Sequence, residues 1–190
     1  MEDVAAELDT ERGVRWMWWA IGILFALAMA ACLSKGADRP ADPVVRSASR
    51  FRGFGEVAFR VQPADGKGLP ATTEFCALHA ITPETRARGL MQQKDLAGYD
   101  GMIFEYEAES TSRFYMKNTI IPLSIAWFGT DGEFVSATEM EPCETQDGCP
   151  LYGADGPYKY ALETTKGDLS RLGVGPQSKL EVGGPCPSPG

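Results

Sequence analysis

The chain of 190 residues is short of histidine, of positive charge and of any recognisable catalytic motif. With His79 as its one histidine it has no His-rich metal motif, and a histidine-based catalytic relay would rest on a single residue. On a strand His79 and Cys76, three residues apart, project from opposite faces, so they make a poor Cys/His dyad and His79 reads as structural. Eighteen Lys and Arg stand against 26 Asp and Glu, a net charge of −8. No positive field is available to neutralise a phosphate backbone, which excludes nucleic acid as a partner. There is no serine in a nucleophile elbow and no glycine-rich phosphate loop, so no catalytic residue, cofactor or metal is expected. The chain shows no internal repeat.

What is present is unevenly spread. Hydrophobic residues make up 44% and charged residues 23%, the composition of one globular domain with an attached segment. The attached segment is residues 16–33, WMWWAIGILFALAMAACL, an uncharged run of 18 residues that follows a polar tail at 1–15. That length is at the threshold for a helix crossing a bilayer, and Trp16, Trp18 and Trp19 suit its headgroup boundary. A buried core helix would carry a polar stripe, and none is found. The run is therefore read as an N-terminal transmembrane or signal helix. Met29, Ala30 and Ala31 lead into Cys32 as in a bacterial lipoprotein cleavage box, in which Cys32 is lipidated; the other reading is a retained anchor with an ordinary cysteine. Both tether the domain to a membrane.

Counting Lys and Arg around the run favours the inward orientation, because Lys35, Arg39, Arg46 and Arg50 follow it while Arg12 and Arg15 precede it. Cysteine usage argues the reverse. Cys143 and Cys149 flank a short turn-forming segment, CETQDGC, that lets them close a small loop, and Cys76 and Cys186 remain for a second bridge, although four cysteines allow three connectivities. Four such residues outside the apolar run fit an oxidising compartment, so the domain is expected on the extracytoplasmic side. Their spacing is wider than that of zinc-binding thiolates.

Residues 34–53, with two prolines and little apolar content, read as a linker; 54–183 form one domain and 184–190 an irregular tail. Near-alternate apolar positions predict strands at 55–61 and 74–81, and further strands are read at 102–107, 113–117, 123–128, 133–140, 158–165 and 179–182, with Asp131-Gly132 as a hairpin turn. Thr82 and Pro83 predict a short helix over TPETRARGLM that ends near Gly89, and a helical turn is expected at 167–172. Many short strands with turn residues between them point to a mainly β fold, a sandwich or barrel with one or two short helices.

The segments TPETRARGLM, GMIFEY, FYMKNTIIPLSIAW, MEPC (140–143) and YALE (160–163) resemble, in order and spacing, the motifs of the domain of unknown function 192 family. The resemblance covers residues 80–182. It implies a compact, mainly β domain of jelly-roll or barrel type, often exported, and it implies no activity. Thr85 stands where that pattern usually has Glu, and Ser124 where Asp is common.

Arg86, Lys117, Asn118, Tyr160 and Glu163 are the polar residues inside these motifs, a candidate pocket for an anionic or sugar-like ligand. The structural alternative makes Lys117 and Asn118 a strand end and turn, and Arg86 and Glu163 an ion pair. Met91, Met102, Met116 and Met140 have apolar neighbours and read as core rather than as copper ligands. The expectation is a membrane-tethered extracytoplasmic module that binds a small ligand or an envelope protein. The alternative is an envelope hydrolase or transferase using Arg86, Lys117 and Glu163 in a cleft.

Overall fold

A computed structural model describes residues 46–63, 73–144 and 148–188. The expected helix at 16–33, Cys32 and residues 34–45 of the expected linker lie outside them, and among the described residues no helix is long and apolar enough to cross a membrane.

Nine strands are formed: β1 (Gly55–Gln62), β2 (Phe75–Ala80), β3 (Gly101–Ser110), β4 (Phe114–Tyr115), β5 (Leu123–Phe128), β6 (Phe134–Met140), β7 (Leu151–Tyr152), β8 (Tyr158–Thr165) and β9 (Lys179–Val182). Seven of them make one sheet in the order β6-β5-β8-β3-β2-β1-β9, and β4 pairs with β7 alone. The neighbours are antiparallel except β2 and β3, which run parallel with Ala77 opposite Gly101. A parallel pair cannot be joined by a tight turn, so the chain must cross over one face of the sheet. That crossover, residues 81–100, carries the helix α1 (Pro83–Arg88).

The sheet curls until its edges touch. Leu180 N–H donates to the Gly132 carbonyl at 2.8 Å and Phe134 N–H to the Ser178 carbonyl at 3.1 Å. Gly132 is required at this seam: its φ is +78°, and any Cβ there would collide with the Leu180 carbonyl oxygen. Alternating side chains then separate into two cores. Inside the curl, Phe59, Ala77, Ile103, Ala126, Phe128, Leu162 and Leu180 pack together. On the outer face, Leu78, Met102, Phe104, Ile125, Trp127 and Ala161 are covered by Phe51, Leu90, Leu96, Tyr99, Phe114 and Met116 from outside the large sheet.

The mainly β expectation is met, with a correction to its architecture. A jelly-roll sandwich closes its core with a second full sheet. Here one sheet curls into a half-barrel, and its outer face is covered by the parallel crossover, the β4–β7 pair and loops. α1 is the one α-helix among the described residues, joined by a 3-10 turn at Ala48–Arg50. It starts with a capping box, in which Thr85 N–H donates to the Thr82 hydroxyl and Thr82 N–H to the Thr85 hydroxyl, and it stops at Gly89, whose φ is +47°. The helical turn expected at 167–172 is instead a run of turns, in which Asp168 donates to Thr165, Leu172 to Asp168 and Val174 to Leu169, with no regular ladder. The strand expected at 113–117 is cut to Phe114–Tyr115, because Thr119 N–H turns back to the Met116 carbonyl and Asn118 takes φ +58°.

Both ends of the domain are fixed to it. Ser47 N–H donates to the Ala97 carbonyl and Phe51 is only 3% exposed, so ordered structure begins before residue 54. Gly183 N–H donates to the Ala58 carbonyl, Ala58 N–H to that of Gly184, and Cys186 is bridged to Cys76 with Cα atoms 5.1 Å apart. Cys143 and Cys149 form the second bridge at 5.8 Å.

Candidate functional site

The crossover, β4 and the outer face of the sheet leave a cavity of about 210 Å³ between them. Its interior is set by β8. Ala161 points to the outer core and Leu162 to the inner one, so Glu163 points outward again, between Met102 and Ile125 on the neighbouring strands. Glu163 is 5% exposed, and among the described residues its carboxyl makes no hydrogen bond and no ion pair. Burial alone pushes its pKa up to about 8, because no cation is placed to favour the charged form. The carboxyl is thus protonated at neutral pH, able to donate one hydrogen bond and accept others. Thr119 is also buried, lines the same cavity and has no side-chain partner among the described residues. The walls are Phe104, Tyr106 and Phe114.

Three arginines also line the cavity. Arg86 is half-buried; its Nη1 donates to the Ile81 carbonyl and, at 3.0 Å, to that of Glu105, while its head lies 4.6 Å from the Tyr106 ring centroid. Arg88 is exposed, donates to the Arg52 carbonyl at 2.6 Å and lies 4.3 Å from the Phe54 ring centroid. Arg113, just before β4, is exposed and runs beside Gly153. The ion pairs among the described residues join other partners and leave all three arginines out. In a chain of net charge −8, three arginines outside any ion pair that line one cavity form a local positive field, moderated at Arg86 by the nearby Glu84 carboxylate.

The five residues singled out in the sequence divide. Arg86 and Glu163 share the cavity without forming the structural ion pair weighed above. Asn118 lines a second, wider cavity of about 450 Å³, which shares Arg88, Gly89 and Met91 with the first. Its backbone is committed to the turn: its N–H donates to the Cys143 carbonyl at 2.9 Å and its carbonyl accepts from Gln92 at 2.8 Å. Lys117 is half-buried and lines neither cavity. Tyr160 packs against the inner core, on the opposite face of the sheet from Glu163. Arg88, Arg113 and Thr119 were missed, although each lies in or beside a motif already noted: Arg88 two residues after Arg86, Arg113 before FYMKNT and Thr119 inside it.

Other candidates have structural tasks. His79 Nε2 lies 2.8 Å from Glu105 Oε2. Met102, Met116 and Met140 are fully buried in the outer core. Ser124 donates to Glu139 Oε1 at 2.8 Å and accepts from Gly167 N–H at 2.9 Å, and Thr85 completes the capping box, so both departures from the family pattern serve local structure. Glu56 lies beside Cys76 and Cys186, but both sulfurs are spent in the disulfide and the carboxylate accepts the Tyr99 hydroxyl.

A family model, DUF192 (Uncharacterized ACR), matches residues 66–182. No curated protein matches the chain. Among solved structures, a proposed transcription regulator from Sinorhizobium meliloti 1021 is 27% identical, with a TM-score of 0.59, covering 68% of this chain and 95% of its own. A protein of unknown function from Novosphingobium aromaticivorans DSM 12444 is 26% identical, with a TM-score of 0.55, covering 72% of this chain and 98% of its own.

Proposed function

Starting from a chain that belongs to the DUF192 family, we propose that it is a binding module for a small organic anion, held in the cavity between α1, β4 and the outer face of the sheet. The observation that carries this reading is a carboxyl without a partner, that of the buried Glu163, in a cavity that three arginines outside any ion pair also line. A ligand in the cavity supplies these groups with the hydrogen-bond partner that the described residues do not. The arginines draw an anion to the cavity, and the aromatic walls exclude water around its body.

The enzymatic alternative is less well supported, since it needs Lys117 beside Arg86 and Glu163, and Lys117 does not line the cavity. The regulator description of the Sinorhizobium relative is not carried to this chain, whose net charge of −8 opposes a DNA backbone. We further propose that the module is tethered to a membrane through residues 16–33 and faces the extracytoplasmic side, supported by that apolar run and by two disulfides of the kind oxidising compartments preserve.

Calorimetric titration of the full-length chain with acetate, citrate and glucuronate tests the binding reading. Saturable binding of at least one anion, lost in an Arg88→Ala/Arg113→Ala double variant that keeps its circular dichroism spectrum, is the expected result. Binding that survives both substitutions removes the site from consideration.

A further inference from the structure

The separation of charge inside the cavity restricts its ligand further. Arg86, Arg88 and Arg113 line the cavity, and none is placed to draw the Glu163 carboxyl toward its charged form, so the cationic groups lie apart from the acid. A ligand that satisfies both ends needs an anionic group at one end and, at the other, an uncharged group that suits a protonated acid. Glu163 in that state offers one donor and one acceptor, and so does the Thr119 hydroxyl. A second anion there could accept from both donors but would leave the acceptor oxygens of the two groups facing its charge. An ammonium would share the cavity with three guanidiniums. A hydroxyl both donates and accepts, and it carries no charge.

The walls add a second constraint. Phe104, Phe114 and Tyr106 line the cavity, and aromatic side chains of this kind pack against the C–H surface of a sugar ring. A volume of about 210 Å³ is below the range of about 300–1,000 Å³ for drug-sized ligands, which limits the occupant to one ring.

We infer that the ligand is a hydroxylated organic anion of single-ring size, a sugar acid, with its carboxylate on the arginines and its hydroxyls on Glu163 and Thr119. This rests on the anion-binding reading above and names the ligand class for the same site. It also predicts a pH signature. The charged groups facing the cavity are the three arginines, which keep their charge throughout, and its other ionisable groups are the phenols of Tyr106 and Tyr115. Ionisation of Glu163 removes the donor the hydroxyls need and puts a negative charge beside them.

The test titrates the full-length chain in detergent with glucuronate and galacturonate, with cyclohexanecarboxylate, which has the ring and charge without hydroxyls, and with myo-inositol, which has hydroxyls without charge. One of the uronates should bind at least about tenfold more tightly than cyclohexanecarboxylate and myo-inositol at pH 7, and weaken about tenfold by pH 9 as the binding-competent, protonated fraction falls. Glu163→Gln, neutral and hydrogen-bonding, should keep the affinity at pH 7 and lose the fall at pH 9. Glu163→Leu should lose the affinity at both. Equal affinity for cyclohexanecarboxylate and the uronates overturns the sugar-acid inference while the anion reading stands, as does uronate binding by the wild type that is independent of pH. No binding of any of these three anions overturns the sugar-acid inference, and the anion reading falls with it when acetate and citrate also fail to bind.

Discussion

The two faces of the large sheet are built from the same strands and do different work. The inner face is apolar, from Phe59 on β1 to Leu180 on β9, and is closed by backbone hydrogen bonds at the Gly132 seam. The outer face is covered piecemeal by a crossover, a two-residue strand pair and loops, and it is there that a buried acid lies without a partner. A face closed by its own sheet packs fully, whereas a face closed by separate segments can leave a gap. In this chain the gap holds the polar groups.

Breaking the inner face should have the largest effect. Leu162→Ala removes a fully buried side chain from the centre of the curl and should cost about 2–5 kcal/mol in denaturant unfolding, with binding in the surviving folded fraction unchanged. A loss below about 1 kcal/mol would show that the curl relaxes around the cavity. Next in size is the Cys76–Cys186 bridge, which closes a loop across a sequence separation of 110. Cys186→Ser together with Cys76→Ser should cost about 2–4 kcal/mol, read as the difference in melting temperature between the oxidised variant and the oxidised wild type, both of which keep the Cys143–Cys149 bridge.

The outer face is probed by a substitution that should help. Glu163 is ionised in the unfolded chain above its ordinary pKa of 4.5 but stays protonated in the folded chain up to about pH 8. The folded state therefore binds the extra proton between these values, so stability is greatest below pH 4.5, falls as pH rises toward 8 and is level above it. The slope reaches at most about 1.4 kcal/mol per pH unit. Glu163→Gln should remove this component and be more stable than wild type at pH 8; equal pH profiles for the two proteins would contradict the burial of the carboxyl. The smallest effect is expected from Arg88→Ala, an exposed side chain stacked on Phe54, which should change stability by less than about 1 kcal/mol while weakening anion binding.

The same contrast separates what could be read in the sequence from what could not. β5, β8 and β9 lie where short runs of strand-forming residues between turn signals put them, and α1 where Thr82, Pro83 and Gly89 put it, because those signals are local. β7 was not anticipated, since two residues carry no period and Leu151–Tyr152 is a strand only because Phe114–Tyr115 lies beside it. The seam between Gly132 and Leu180 joins residues distant in the chain and was equally invisible. Glu163 and Arg86 were found as polar residues within apolar motifs. Tyr160 was grouped with them because sequence does not say which face of β8 is which; alternation places it three residues away on the other side. Arg113 went unnoticed because an arginine before a strand looks like any solvated surface charge.

The pairing of β1 with β9, with Phe59 opposite Val182, sets the order in which this protein can be made. The first strand of the sheet waits for the last, and Cys76 waits for Cys186. An emerging chain can form the hairpin of β5 and β6, but it cannot bury the inner core until almost all of it has left the ribosome or crossed a membrane, so closure is a late, long-range event of the slow kind. Until then β1 offers an unpaired edge. Truncating even the last dozen residues should leave a chain that is synthesised normally and never matures.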